Sequence, residues 1–407
     1  MKQLSLASTI ALLLAVLPPR ASAAEALAIR GDLVYTMAGP AIRDGVVLIA
    51  DGRIRAVGPA GEVLVPDGTR LIQAAVVTPG LIDAHTVVGL SGYLNQEQDQ
   101  DQLDDGDPIQ PELRAIDAYN PRERLLEWVR GFGITTIHTG HAPGALISGQ
   151  TMVTKTAGDA MLRPVAMVAV TLGDAGRAGE GEKKSPGTRS KSVAMLRAEL
   201  LRGQAYLRKR QLEDETKRPD KDLRLEAIAN VLDGTWPLLV TVDRATDIAS
   251  ALRIAEEFKL RIVLDSAAEA YLLSDRIRAA GVPVILHPTM RRAGTGETEN
   301  LAMDTAARLR RAGIPFALQS GYESYVPKTR VVLFEAGVAL ANGLSTEEAL
   351  ASITIDAAGI LGVADRVGSL AVGKDGDVAT YDGDPFEFTT HCTAVVIDGD
   401  VVSDDPR

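Results

Sequence analysis

One cysteine, Cys392, in 407 residues has no partner for an intrachain disulfide, so covalent stapling is excluded as a source of stability. An intermolecular bond stays open beside the plainer reading of a buried, inert thiol in a strand. Histidine is also scarce, with five in the whole chain, so any imidazole-based metal centre has to be assembled from His85, His138, His141, His287 and His391. Past the first segment no apolar run reaches the roughly 20 residues that a spanning helix needs. Basic charge is in deficit, 43 Lys and Arg against 54 Asp and Glu, for a net charge of −11. That balance repels nucleic acid and anionic lipid, and neither is expected as a partner.

The chain does have substance for a large core: its composition is 46% hydrophobic, and a (β/α) barrel with a small appended domain uses about this length. Its first segment carries Lys2, an apolar stretch from Leu6 to Leu17, and the small-x-small triplet Ala21-Ser22-Ala23. This is the pattern of a signal peptide cleaved after Ala23, and it predicts export to the periplasm with no stable membrane insertion after cleavage. An uncleaved anchor is the alternative. Loss of Lys2 and Arg20 with residues 1 to 23 takes the charge from −11 to −13.

From Leu27 to Val77, short β-branched runs alternate with turns such as Asp51-Gly52, as in hairpins. The pattern returns in Asp377 to Tyr381, Thr393 to Ile397 and, after the turn Asp398-Gly399, Val401-Val402. These two segments predict one β-sandwich built from both ends of the chain. Between them, strand-like runs at Ile134 to His138, Val165 to Val170, Leu238 to Val242, Arg261 to Leu264, Val282 to His287 and Ile314 to Gln319 appear. Amphipathic stretches such as Ala245 to Phe258 and Thr305 to Ala312 separate the last four, which predicts parallel strands with crossover helices closed into a barrel. The expected organisation is a signal peptide at 1–23, the N-terminal portion of the sandwich at 24–78, the barrel at 79–364 and the C-terminal portion of the sandwich at 365–407. Gly173 to Ser190, rich in Gly, Lys and Ser and without a period, reads as a mobile rim loop or a lid.

The run from Val76 to Val87, with Pro79-Gly80-Leu81-Ile82-Asp83-Ala84-His85 at its centre, resembles the first metal-binding strand of the amidohydrolase superfamily, in particular its imidazolonepropionase-like members. Asp365 to Val378 and Asp382-Gly-Asp-Pro385 are similar to the family's return to the sandwich. The resemblance spans nearly the whole mature chain. It implies an α/β fold, a (β/α)8 TIM-like barrel plus a small β-sandwich, and a hydrolase of amide-like C-N bonds. In such an enzyme a divalent cation polarises the carbonyl and activates water, and an aspartate from the eighth strand takes the proton.

This chain departs from that pattern at nearly every ligand. The first strand should end in His-x-His, because side chains two apart on a strand share a face; here the pair is His85 and Val87. The fifth strand has Thr241 and Asp243 at its histidine positions, the sixth, Arg261 to Asp265, has no histidine, and the eighth reads Gln319-Ser320-Gly321 where Ser-Asp is expected. Only His85 survives, and one imidazole with scattered carboxylates holds zinc poorly.

What remains is a short set of candidates. His85, His138, His141 and His287 all fall at strand ends that should meet at the barrel mouth, where they form either a relocated site for a divalent metal such as zinc or a polar rim. The segment Ser91 to Gln102, with Asp99 and Asp101, is acidic and amide-rich and follows the first strand, but lacks the spacing of an EF-hand loop; a solvated loop is the plainer reading. Thr135 to Gln150 brings glycines that permit close backbone approach, without the Gly-x-Gly-x-x-Gly of a dinucleotide site. Lys155 reads as a solvent-facing lysine or a carboxylate anchor. Ser320 lies outside any Gly-x-Ser-x-Gly elbow, and Asp265 and Glu323 could reach the pocket as acid or base.

The best-supported reading is a catalytically silent relative that binds a small molecule or pairs with a second subunit, its own copy or a homologue. The alternative is a C-N hydrolase with a rebuilt metal site. N-terminal sequencing of protein recovered from the periplasm should begin at Ala24; a start at Met1 would instead identify an anchor.

Overall fold

The structure is a computed structural model, and it describes residues 26–177, 185–291, 293–294, 296–323 and 330–407. The predicted signal peptide and the middle of the Gly173 to Ser190 stretch lie outside the described residues. Four strands open the chain: β1 (Leu27–Val34), β2 (Ile42–Ala50), β3 (Arg53–Pro59) and β4 (Arg70–Pro79). Three close it: β15 (Val378–Tyr381), β16 (Cys392–Ile397) and β17 (Asp400–Ser403). They form one seven-stranded sheet in the order β17-β16-β15-β4-β1-β2-β3. As the sequence predicted, both ends of the chain build it, because β15 pairs antiparallel with β4. The segment that leads into β15 also reaches β3 and the turn before it. Ile54 N–H donates to the Lys374 carbonyl at 2.9 Å and Gly376 N–H to that of Gly52 at 2.8 Å, around a core of Ile29, Val47, Ile49, Ile54 and Val378.

Between these segments run β5 (Leu81–Thr86), β6 (Ile134–Thr139), β7 (Ile147–Gln150), β8 (Met152–Lys155), β9 (Met161–Arg163) and β10 (Val168–Thr171). They are followed by β11 (Leu238–Val242), β12 (Ile262–Ser266), β13 (Val284–Leu286) and β14 (Phe316–Leu318). From β10 to β14 each strand pairs parallel with the next, and helices such as Ala245–Phe258 and Thr305–Arg311 cross between them. The strands read as continuous apolar runs because both faces are covered. β5 and β6 are also parallel. The third barrel position is different: β7 and β8 are nearly continuous and run antiparallel to β10 and β6 respectively. A parallel bridge from Thr86 to Gly321 brings the last strand back to the first. Gly321 has φ +102°, a conformation that disfavours any side chain there.

The antiparallel third position explains one departure from the sequence reading. Val165 to Met167 were expected in a strand, but Thr151, at the break between β7 and β8, exchanges backbone hydrogen bonds with Ala166 and Met167, so β10 starts later. Helix Arg189–Arg210, 22 residues long, begins where the loop was expected to end.

Lys155 requires a correction. It is not solvent-facing: at the end of β8 it is 1% exposed, and its ammonium reaches Asp375, Asp377 and Asp398 at 2.8, 2.9 and 2.6 Å. All three acids belong to the C-terminal portion of the sheet. Arg366 also pairs with Asp375, at 2.7 Å. Burial alone would lower the lysine's pKa, but Asp377 and its two neighbours override it and hold the pKa above its ordinary value. The carboxyl of Asp377, nearly cut off from water, is pushed up to about 6 by that burial. Opposite charges taken out of water together must stay paired, so this cluster fastens the barrel to the sheet. Lys155→Met should lower the unfolding free energy by about 3 kcal/mol or more, the usual cost of stranding buried partners, as read from urea unfolding.

Candidate functional site

The side chains at the C-terminal ends of the barrel strands converge on one carboxylate. Asp265, on β12, is fully buried. Its Oδ1 faces His85 Nδ1, from β5, at 2.9 Å and accepts from Gln319 Nε2, just past β14, at 2.9 Å. Its Oδ2 accepts from the Thr241 hydroxyl, on β11, at 2.7 Å. Four strands are therefore joined through one residue. Burial pushes the Asp265 carboxyl up, but the neighbouring imidazole and its other donors outweigh that and hold it below the usual range. The same pairing lifts His85, against its own burial. The two shifts agree on a charge-assisted bond in which Nδ1 donates. His85 Nε2 is buried without a partner.

The remaining predicted histidines do not join this hub. His138 lies beside His85, ring centroids 5.7 Å apart, but both its nitrogens are engaged. Nδ1 donates to the Ala84 carbonyl at 2.6 Å, leaving Nε2 to accept from the Thr151 hydroxyl at 2.7 Å. Burial, with His85 alongside, drops its pKa to about 3, so it is neutral. His287 donates from Nδ1 to the Pro288 carbonyl at 2.9 Å, with burial lowering its pKa to about 4. His141 is likewise lowered to about 4 by burial. It packs on Gly149, where a Cβ would sit 2.4 Å from the ring. Among the described residues no three His, Cys, Asp or Glu side chains are grouped to hold a metal ion.

The other candidates scatter. Asp99 and Asp101 are exposed, in a segment pinned to the strand-following turn by Gly92 N–H on the Asp99 carbonyl and Asp101 N–H on that of Leu90, both 2.8 Å. Gln150 is buried and donates to the Pro111 carbonyl at 2.9 Å. Ser320 turns its hydroxyl to Thr86 at 3.2 Å, and its N–H reaches Asp83 at 3.0 Å. Burial raises Asp83 to about 6. Asp243 stays at the mouth, accepting from the Ser266 hydroxyl at 2.6 Å.

Above the hub lies a cavity of about 280 Å³, whose lining includes Thr241, Asp243, Arg291, Glu297 and Tyr322. Tyr322 stacks near His85, centroids 5.9 Å apart, so the cavity floor rests on the buried pair. Sequence reasoning missed Arg291 and Tyr322. The usable signal was position: each follows the end of a barrel strand by a few residues, on the face that carries function in this architecture. Ser266 and Ala267, just past Asp265, have φ +67° and +53°, a left-handed pair that costs about 1–3 kcal/mol per residue and concentrates at functional sites.

Comparisons with known proteins bear on the family and the fold. A model of the amidohydrolase family matches residues 88–403. The chain is 26% identical over 408 residues to amidohydrolase tasK of Hapsidospora irregularis, covering 89% of this chain but only 40% of that protein's length. It is 29% identical over 376 residues to an imidazolonepropionase of Stenotrophomonas maltophilia, covering 84% and 87% of the two chains. Among solved structures, an amidohydrolase from Thermotoga maritima superposes with a TM-score of 0.87 at 26% identity, covering 93% of this chain and 100% of the other.

Asp265→Asn keeps the shape of the hub but removes its charge and one acceptor oxygen. It should reduce the unfolding free energy by about 2 kcal/mol, the scale of hydrogen bonds to a charged group. Urea unfolding at pH 7 measures it, and a change within error would mean that the hub is not what ties these strands.

Proposed function

The chain belongs to the amidohydrolase family, and from that premise we propose that it is an exported member that has given up metal-dependent hydrolysis and binds a small molecule at the barrel mouth. The single observation that supports this most is the bonding of Asp265. The resemblance draws metal ligands and the general base from the first, fifth, sixth and eighth strands. On or just past those four strands this chain has His85, Thr241, Asp265 and Gln319, the other three each bonded to Asp265.

The residues present do not fit a catalytic cation. Such a zinc site needs three protein donors and an open position. Val87 is buried and offers no lone pair, Gly321 has no side chain, and both nitrogens of His138 are engaged. The imidazole of His85 has one nitrogen committed to Asp265, which leaves a single donor on the first strand. A carboxylate that already accepts three hydrogen bonds is a weakened ligand, and threonine and glutamine are poor replacements for imidazole. Water in such a site has no activating charge, and amide hydrolysis loses its nucleophile. The cavity itself remains, polar and continuous with the hub, as a binding site requires. Export rests on the first 23 residues, with the mature chain starting at Ala24.

The test is direct. Purified mature protein, dialysed and then incubated with zinc, manganese or cobalt, should retain fewer than about 0.1 metal ions per chain. It should not hydrolyse a panel of N-acyl amino acids, lactams and dipeptides above the blank. Turnover that a chelator abolishes, and that His85→Ala removes, would replace this reading with that of a C-N hydrolase built on a new metal site.

A further inference from the structure

Arg291 follows β13 and projects into the mouth cavity with its side chain 25% exposed. Its contacts are thin for a group with five N–H donors. Nη1 reaches the Ser266 hydroxyl at 3.3 Å and the Asp243 carboxylate at 3.5 Å, and a further bond joins it to Tyr322. The first distance is beyond the usual N–H···O range and the second is longer still. A guanidinium this loosely paired at a cavity wall retains capacity for a ligand.

The backbone beneath it is held firmly. Glu335 Oε2 accepts from the Thr289 hydroxyl at 2.6 Å and from Met290 N–H at 2.7 Å, which fixes the two residues before Arg291. On the other side, the left-handed Ser266–Ala267 pair is tied down by Asp243, which accepts from Ser266 Oγ at 2.6 Å and from Ala268 N–H at 3.2 Å. The strained pair, held also by Ala267 N–H on the Val242 carbonyl and His287 N–H on that of Ser266, both at 2.6 Å, thus lies next to the guanidinium.

Resting on the proposal of a non-hydrolytic binder, we infer that the mouth cavity takes a small monocarboxylate, gripped by Arg291. The planar fork of the guanidinium matches a carboxylate edge to edge. The cavity's charge sets the valence. Asp174, Asp243 and Glu297 line it with Arg291 as the one basic lining residue and Glu323 nearby, although Arg177 pairs with Asp174 and Arg189 with Asp174 and Glu297. A dianion such as phosphate would meet that negative potential with one cation to offset it. At about 280 Å³ the space sits just below the volume typical for drug-sized ligands, about 300 Å³ and upward. Thr171 and Thr298 among its lining residues suit an occupant with further polar groups.

Isothermal titration of the mature protein with N-acetylglycine, its neutral amide N-acetylglycinamide, and inorganic phosphate separates the alternatives. N-acetylglycine should bind at least about tenfold more tightly than the amide or phosphate, a difference near 1.4 kcal/mol. Arg291→Gln should cut N-acetylglycine affinity by about tenfold, with Arg291→Lys in between, because lysine keeps the charge and loses the fork. Should Arg291→Gln unfold, the wild-type carboxylate-to-amide ratio and the lysine variant still decide. No binding of N-acetylglycine, equal binding of the amide, tighter binding of phosphate, or full affinity in Arg291→Lys would overturn the inference. Chelator-sensitive turnover would remove the preceding proposal while leaving Arg291 as a carboxylate anchor; loss of the carboxylate preference would do the reverse.

Discussion

A carboxylate at the centre of a barrel has to be paired, and the pairing of Asp265 is the constraint from which the rest of this site follows. Out of water, an isolated charge would neutralise itself or open the structure. Asp265 instead has three donors, from His85, Thr241 and Gln319. Each partner is then spoken for: the imidazole by its donated proton, the threonine by its hydroxyl, the glutamine by its amide. In a metal enzyme of this family the strand ends are cross-linked by a cation and the ligands keep one coordination position open. Here they are cross-linked by hydrogen bonds to an internal anion, and that arrangement leaves no comparable open position. Cross-linking and catalysis, which a metal performs together, become separable, and this chain supplies the first from its own side chains.

The far end of the barrel depends on the same electrostatic rule with the signs exchanged. Lys155 is a buried cation among Asp375, Asp377 and Asp398, and the partners come from the other end of the sequence. Closure of the sheet by the two chain segments and docking of the barrel are therefore one event, since neither charge set can be buried before the other arrives. The hub at the mouth and the clamp hold different strands of the barrel, β8 ending on the clamp and β5, β11 and β12 on the hub. Between them the barrel wall is apolar, and its parallel register is fixed by continuous burial of both faces.

Much of this fold was legible from residue patterns. The five parallel strands from β10 to β14 were expected within a few residues, because apolar runs bounded by amphipathic helices carry a strong signal. β7 and β8 were not, since Ile147 to Lys155 mixes glycine, threonine and lysine without either period, and their antiparallel course breaks the βα alternation. The site was legible as a deficit: Val87, Thr241 and Gly321 are visible in the sequence as missing ligands. What replaced them was not, because Asp265 and Gln319 meet only through pairings across 54 residues. Lys155 was misread for the same reason. A lysine is ordinarily exposed, and its acidic partners Asp377 and Asp398 lie 222 and 243 residues away.

Two features of the mouth, a strained turn and a loosely paired arginine, together argue that the site still has a task. The hub satisfies its own charges, so a barrel that needed nothing more could relax the turn that follows β12. It keeps two consecutive non-glycine residues, Ser266 and Ala267, in the left-handed region, and strain of that kind survives only where surrounding contacts impose it. Among the contacts that impose it, beside the backbone bonds of Ser266 and Ala267 to His287 and Val242, is Asp243, whose pKa is raised by burial and partly brought back down by Arg291. A buried acid, a strained turn and a loosely paired arginine form a sequence of dependencies that points outward, from the closed hub to the open cavity. A cavity with a guanidinium and carboxylates in its wall is what a binding site has and a packed core lacks.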